Sequence, residues 1–344
     1  MNLPGSIAAA PGLRVSEAGE HALIERIRQR IPASPPDLVI GIGDDAAVAT
    51  PERGALQVLT TDALVEGVHF DRRWSPPADI GAKALAVNIS DVASMGGAPR
   101  YALLSLMLPA DLPVADLDAL LDGFLHMAAA HGVALAGGNI TRSPGPLIVD
   151  VTVVGSVRPR KLLTRAGGRP GDAVYVTGAI GAGAAGLEWL RAHGHDAAVP
   201  GGALADCVAR YRRPQPRARI GALLGRTRAA SSCMDTSDGL ADAIAQICKA
   251  SGTGATIDAA NLPIHPGAAA CFADRDPVLA ALAGGDDYEL LFTTSRRHRG
   301  RLRHVTSEAR GVALTRIGEL TGDASITLSR DGHTEPLPAG FVHF

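Results

Sequence analysis

Apolar residues recur with the two-residue period of strands and the 3.6-residue period of helices in turn along the chain, but not as a regular strand–helix–strand series. Residues 38–42, 56–61, 101–108 and 147–157 read as strands, and 132–136 leads into another. Residues 79–95 and 117–131 read as helices. In the first of these, Ile80, Leu85, Val87, Ile89 and Val92 supply the apolar face, and Gly96-Gly97 stops it. An earlier helix is expected from Ser16, with Leu23, Ile24, Ile27 and Ile31 on one face and Pro32 at its end. Residues 158–170 are basic, finish in Gly-Gly-Arg-Pro and run into Gly171, which marks a junction. Beyond it, strands are expected at 173–177, 229–234, 255–257, 288–293 and 312–317, with helices near 184–193, 239–250 and 276–283. The pattern predicts two α/β (α+β) domains rather than one doubly wound sheet. Their expected limits are 19–157 and 158–344, after an extension of residues 1–18 without fixed structure.

Composition narrows the function classes. Apolar residues make up 46% of the 344 and aromatics 3%, so the core must be aliphatic. A formal net charge of −2 argues against a broad nucleic-acid-binding face. Cys207, Cys233, Cys248 and Cys271 form no C-x-x-C pair and read as reduced core thiols. No basic-then-apolar leader and no long uninterrupted apolar run is present, so the expected compartment is the cytoplasm.

Chemistry gathers where carboxylates adjoin Gly, Ser or Thr at the ends of apolar strands. Gly41-Ile42-Gly43-Asp44-Asp45, Thr60-Thr61-Asp62, Asp235-Thr236-Ser237-Asp238-Gly239 and Gly284-Gly285-Asp286-Asp287-Tyr288-Glu289 are four such places, and Asp91 follows Asn88 and Ser90 on a predicted helix. Like charges brought together repel unless cations lie between them. Mg²⁺ suits the role, because it takes oxygen ligands, keeps waters and bridges carboxylates to phosphates. Each segment also has a plain structural reading. Asp235, Ser237 or Asp238 can cap the following helix, Gly41 to Asp45 can be an ordinary turn, and Asp91 can be a solvated helix residue.

A P-loop is excluded, because none of Lys83, Lys161 and Lys249 stands in the required Gly-rich setting. Gly181-Ala182-Gly183-Ala184-Ala185-Gly186 does match G-x-G-x-x-G between a strand and a helix. Its acidic candidate, Asp206, falls in a predicted helix rather than at a strand end, so a tight turn with close helix packing competes with a dinucleotide site. With three lysines, phosphate charge must be met by Mg²⁺, backbone N–H groups and arginines, of which Arg142 and Arg165 lie nearest the loop motifs.

The segments 41–47 (GIGDDAA), 60–70 (TTDALVEGVHF), 83–96 (KALAVNISDVASMG), 235–240 (DTSDGL) and 284–290 (GGDDYEL) resemble, in order, those of the thiamine-monophosphate kinase family. The resemblance implies the two-domain aminoimidazole ribonucleotide synthetase-like fold, with an N-terminal domain that contributes to an intersubunit sheet or barrel in a homodimer. It implies ATP-dependent phosphorylation of thiamine monophosphate to thiamine diphosphate by direct γ-phosphoryl transfer. Position by position, it implies Asp45, Thr60, Thr61, Asp62, Asp91, Asn139, Asp235 and Asp238 as ligands of several Mg²⁺ ions. Gly138, Asn139, Arg165 and Ser237 match contacts to ATP, and His69, Asp286 and Phe341 match the thiamine-phosphate side. Asp44 and Asp287 rank second. Asn139 stands where the family often has Asp, and Asp286 where Glu is frequent. An ionised phosphate acceptor needs no strong general base, so catalysis is expected from metal ions and positioning alone, with no catalytic side chain. The alternatives are another ATP-dependent enzyme of the same superfamily, driving cyclisation or dehydration, or a dinucleotide-binding oxidoreductase.

Overall fold

The computed structural model describes residues 12–194, 197–338 and 340. The chain divides into two compact units, Met1–Ile89 with Pro99–Ser156, and Ser90–Ala98 with Val157–Phe344. The short segment Ser90–Ala98 thus belongs to the second unit, an exchange that a linear division near residue 157 does not contain.

The first unit, with the end of α3 passing into the second, runs α1 (Val15–Ala18), α2 (Glu20–Arg30), β1 (Leu38–Ile40), β2 (Val48–Ala49), β3 (Leu56–Val65), α3 (Pro77–Ser94), β4 (Ala98–Pro109), α4 (Val114–His131), β5 (Ala134–Ser143) and β6 (Ile148–Val157). Residues 15–18, expected to lack structure, form α1; Val15 is buried and its amide donates to Leu112 O at 3.0 Å. The expected helix from Ser16 is broken at Gly19 (φ +78°), and α2 starts after it with Leu23 and Ile27 inward. β3, β6, β4 and β5 form one sheet in that order, and α4 is the crossover between parallel β4 and β5. In β6 the residues alternate, and Val149, Val151 and Val153 have no exposed surface. Helices α3 and α4 approach so closely that a Cβ on Gly81 would lie 1.9 Å from Leu120 O, and one on Gly123 1.8 Å from Ala78 O. The opposite sheet face is bare: Leu59 is 66% exposed and Leu103 38%.

The second unit holds β7 (Ala173–Thr177), α5 (Ala182–His193), α6 (Ala203–Arg212), α7 (Ala218–Thr227), β8 (Ser232–Asp235), α8 (Leu240–Ser251), β9 (Gly254–Asp258), α9 (Pro266–Cys271), α10 (Pro277–Ala283), β10 (Leu290–Thr294), α11 (Arg299–Glu308), β11 (Leu314–Thr321), β12 (Ile326–Arg330) and β13 (His333–Pro336). Its sheet has the order β13-β12-β9-β11-β7-β10-β8 and is antiparallel except between β12 and β9. Alternate residues feed two cores. Val174, Val176 and Leu291 meet Leu240, Ile244 and Ile247 of α8, while Leu290 and Phe292 meet Ile220, Leu223 and Leu224 of α7 and Val305 of α11. Helices on both faces explain why these strands read as nearly continuous apolar runs.

Candidate active site

Within the second unit, antiparallel β8 and β10 align Asp235 with Leu290, which brings the loop after β8 against the loop before β10. Asp286 N donates to Ser237 O at 2.8 Å, Thr236 N to Glu289 O at 2.9 Å, and Glu289 N to Thr236 Oγ1 at 3.1 Å. Asp235 is 4% exposed, and its Oδ2 accepts from Ser90 Oγ at 2.7 Å. Asp91 is the next residue, so Asp91, Asp235, Ser237, Asp238 and Asp286 all belong to one unit. The capping reading does not hold here. Gly239 (φ +96°) is the N-cap of α8, and the helix carries no side-chain cap. Arg165 is exposed; its carbonyl accepts from Ser251 Oγ at 3.2 Å, and the preceding carbonyl, of Thr164, accepts from Cys233 N of β8 at 2.9 Å.

In the first unit, Asp44 Oδ1 accepts from Asp45 N at 2.8 Å, closing an exposed turn in which Asp45 has no such local duty of its own. Strand alternation separates three neighbours that the family match places on metal. Thr60 and Asp62 share the face of buried Val58 and Leu64. Thr61 points the other way, with Oγ1 3.0 Å from Thr152 Oγ1 and 3.2 Å from Asp150 Oδ1. The three side chains therefore do not converge on one point. Asp150 is a further carboxylate beside Thr61; its signal in the sequence is an acidic residue at an outward position of an alternating strand. His69 sits in the turn after β3, where its Nδ1 accepts from Val65 N at 3.0 Å. Gly138 lies on edge strand β5, and a Cβ there would be 1.9 Å from Leu104 O, so close strand packing alone demands glycine. Asn139 follows in register with Ser105. Phe341 lies outside the described residues.

The G-x-G-x-x-G turn resolves as packing. Asp287 occupies the N-terminus of α5, accepting from Gly181 N at 2.6 Å and Gly183 N at 2.9 Å, where a pyrophosphate would otherwise bind. Enclosure pushes the Asp287 carboxyl up to about 7 against the pull of those two amides, and the charges of Glu289 and Asp286 add to the rise. A Cβ on Gly186 would lie 2.3 Å from Cys207 O, so α5 and α6 need that glycine to touch.

A second array joins residues 58 and 59 positions apart, which spacing in sequence does not reveal. Cys207 Sγ is 3.2 Å from His265 Nδ1, and His265 Nε2 is 2.9 Å from Asp206 Oδ2. Gly267 N also donates to Nδ1, at 3.1 Å, which places the ring proton on Nε2. The order is that of a nucleophilic triad. Yet Cys207 has no exposed surface, and burial pushes its thiol up to about 12, so it is a packed polar array.

The candidate donors are aspartate carboxylates, threonine hydroxyls and one amide, an all-oxygen set that fits a hard cation such as Mg²⁺. Among the described residues no group of three or more His, Cys, Asp or Glu is gathered as a ready metal cage. Among the described residues no helix is long and apolar enough to cross a membrane.

Residues 43–157 match the AIR synthase related protein N-terminal domain, and residues 169–331 the C-terminal domain. The chain is 39% identical to thiamine-monophosphate kinase of Escherichia coli strain K12 over 95% of this chain and 98% of that one. It resembles the crystal structure of thiamine-monophosphate kinase from Stenotrophomonas maltophilia K279a at 37% identity, with TM-score 0.81 over 90% of this chain and 96% of that one. A structure of AaThiL complexed with AMPPCP and TMP superposes with TM-score 0.75 at 30% identity, covering 97% of this chain and all of that one (100%). The mixed α/β fold in two units is that of these relatives, and the chain belongs to the thiamine-monophosphate kinase family of AIR synthase related proteins.

Proposed function

We propose that this kinase transfers the γ-phosphoryl group of ATP directly, in line, to the phosphate of thiamine monophosphate, giving thiamine diphosphate and ADP with Mg²⁺ bound. The observation that carries the reading is the β8–β10 pairing with the Asp286 N to Ser237 O hydrogen bond, which brings the acidic loop of residues 235–238 against that of residues 284–289. The family's named activity and the AMPPCP and TMP held by AaThiL support the choice of substrates.

Asp45, Thr60, Thr61, Asp62, Asp91, Asn139, Asp235 and Asp238 are the proposed Mg²⁺ ligands, with Thr61 limited to its backbone carbonyl if it serves the same ion as Thr60 and Asp62. The ions neutralise phosphate charge when bound. Gly138, Asn139, Arg165 and Ser237 are assigned to ATP, and His69, Asp286 and Phe341 to thiamine monophosphate. His69, engaged through Nδ1 by its own turn, serves as a contact rather than a base. The protein's share of catalysis is alignment of an already ionised acceptor with the γ-phosphoryl group.

The first domain, 19–157, is assigned to ATP, Mg²⁺ and dimerisation, and 158–344 forms the second. A second copy of the chain is the proposed cover for Leu59 and Leu103 on the bare sheet face and for Val39 and Val48 of β1 and β2, which are 63% and 46% exposed. The proposed compartment is the cytoplasm. Incubation with Mg-ATP and thiamine monophosphate tests the activity, with thiamine diphosphate as the expected product. Asp62→Ala is expected to lose turnover at least about a hundredfold with its melting temperature kept. No product at saturating Mg²⁺ would sink the assignment.

A further inference from the structure

Glu289 is a carboxylate with no exposed surface, two residues after the last aspartate of the Gly-Gly-Asp-Asp stretch, and the chemistry above gives it no part. Both of its oxygens are taken. Arg217 reaches Oε2 through Nε at 2.6 Å and Oε1 through Nη2, and Thr177 Oγ1 donates to Oε2. Arg210 Nη1 stands 3.7 Å from Oε1. A Cβ on Gly178 (φ +60°) would fall 2.0 Å from Oε1, so the neighbouring turn is built around the carboxylate.

Packing does not explain this pair. A carboxylate stripped of water is stable only when matched, and apolar side chains of similar volume commonly serve a core as well. The backbone beside it offers a reason. Asp286 (φ +67°) and Tyr288 (φ +50°) both adopt left-handed conformations that residues other than glycine rarely take. Such conformations persist where the surroundings over-determine them. Here two anchors alternate with them: Asp287, on the amides that open α5, lies between the two, and Glu289, on Arg217, follows Tyr288. Asp286, between the anchored residues and the Ser237 carbonyl, remains partly exposed, with Oδ1 3.2 Å from Tyr288 Oη.

We propose that Glu289 and Arg217 form a positioning pair that locks the main chain of residues 286–289 and so sets where Asp286 presents its carboxylate to thiamine monophosphate. The substrate half of this statement rests on the proposed role of Asp286; the locking half does not.

The test compares Glu289→Gln, Arg217→Lys and the double variant Glu289→Gln/Arg217→Met with the parent. Three readings are taken: melting temperature, amide exchange in peptides covering 284–290, and separate KM values for thiamine monophosphate and ATP. In Glu289→Gln, exchange across 284–290 is expected to rise at least about tenfold while β7 and β11 stay protected. KM for thiamine monophosphate is expected to rise at least about tenfold, with KM for ATP within about twofold. Arg217→Lys, which keeps the charge without the planar fork, should fall between. The double variant removes the buried charge and should regain melting temperature without regaining KM. It also carries the test if the single variant fails to fold. Parent-like exchange in Glu289→Gln, or a double variant that regains KM together with stability, overturns the proposal. A parent that makes no thiamine diphosphate defeats the functional reading instead, and the exchange data then decide the lock. A working parent in which Asp286→Ala leaves KM for thiamine monophosphate unchanged overturns the substrate half.

Discussion

Two glycine-rich turns follow strands in this chain, and they differ in what surrounds them. At 41–45, after β1, a Cβ on Gly43 would find only the Arg28 guanidinium, 3.9 Å away, and Asp44 and Asp45 face outward. At 181–186, after β7, a Cβ on Gly181, Gly183 or Gly186 would fall 2.9, 2.5 or 2.3 Å from neighbouring atoms, and the helix N-terminus is filled by Asp287. Both turns satisfy a phosphate-binding expectation at the level of residue types. Only the first keeps room and uncommitted geometry for a ligand. A glycine motif is thus ambiguous until the volume around it is known, because glycine admits a phosphate and admits a neighbouring helix for the same reason.

Substitutions can break that contrast. The largest expected effect is on the crowded turn. Gly186→Ala should cost about 2–3 kcal/mol by urea denaturation, the upper part of the usual range for overpacking, with turnover per folded molecule unchanged. A variant as stable as the parent would show that helix contact is not what the glycine serves. Next, Asp45→Asn should lower kcat/KM about thirtyfold, roughly 2 kcal/mol, and recover in part as Mg²⁺ is raised. Its stability should stay within about 0.5 kcal/mol, since the residue is exposed. Loss of stability in place of turnover would erase the distinction between the turns. The smallest effect concerns Asp287. Its carboxyl, pushed up to about 7, binds its proton more tightly in the folded chain than an ordinary carboxyl does. The stability it contributes is fully present below the ordinary carboxylate range and is lost as pH rises through about 7. Melting temperature should therefore decline between about pH 4 and 7 in the parent and decline less in Asp287→Asn. Parallel profiles would mean that the enclosed carboxyl is ionised throughout.

Strong periodicity made the frame legible. The strand expected at 173–177 is β7, and the helices expected at 79–95 and 117–131 are α3 and α4 within a few residues. What escaped has physical causes. Helix α11 buries only Leu302 and Val305 in a basic run, too little for an apolar stripe to stand out. The hairpin of β12 and β13 ends in a wholly exposed strand, so no alternation marks it. Three of the four acidic segments named as candidates lie at strand ends in the structure too, whereas Thr60-Thr61-Asp62, expected to end a strand, lies inside β3, which runs on to Val65; the partners of these residues come from far away. Ser90 reaches Asp235, and Arg217 reaches Glu289. Cys207 and His265 are likewise joined only by the fold. Spacing in sequence carries no signal for such pairs. That Thr60 and Asp62 face one way and Thr61 the other follows from strand alternation, because adjacent strand residues face opposite ways.

The place of Ser90–Ala98 in the second unit has a consequence for how the protein can be made or divided. In that segment Ala93 O lies where a Cβ on Gly221 would be 2.0 Å away, and Gly96 lies against Lys161 O. A ribosome releases the segment well before the sequence it packs upon. The second unit is completed by an heirloom from upstream, and no single cut yields both units whole. Expressed alone, 157–344 would lack the hydroxyl that holds Asp235 and the helix end that seats α7. A shuffled gene that keeps 90–98 joined ahead of 157 would retain them.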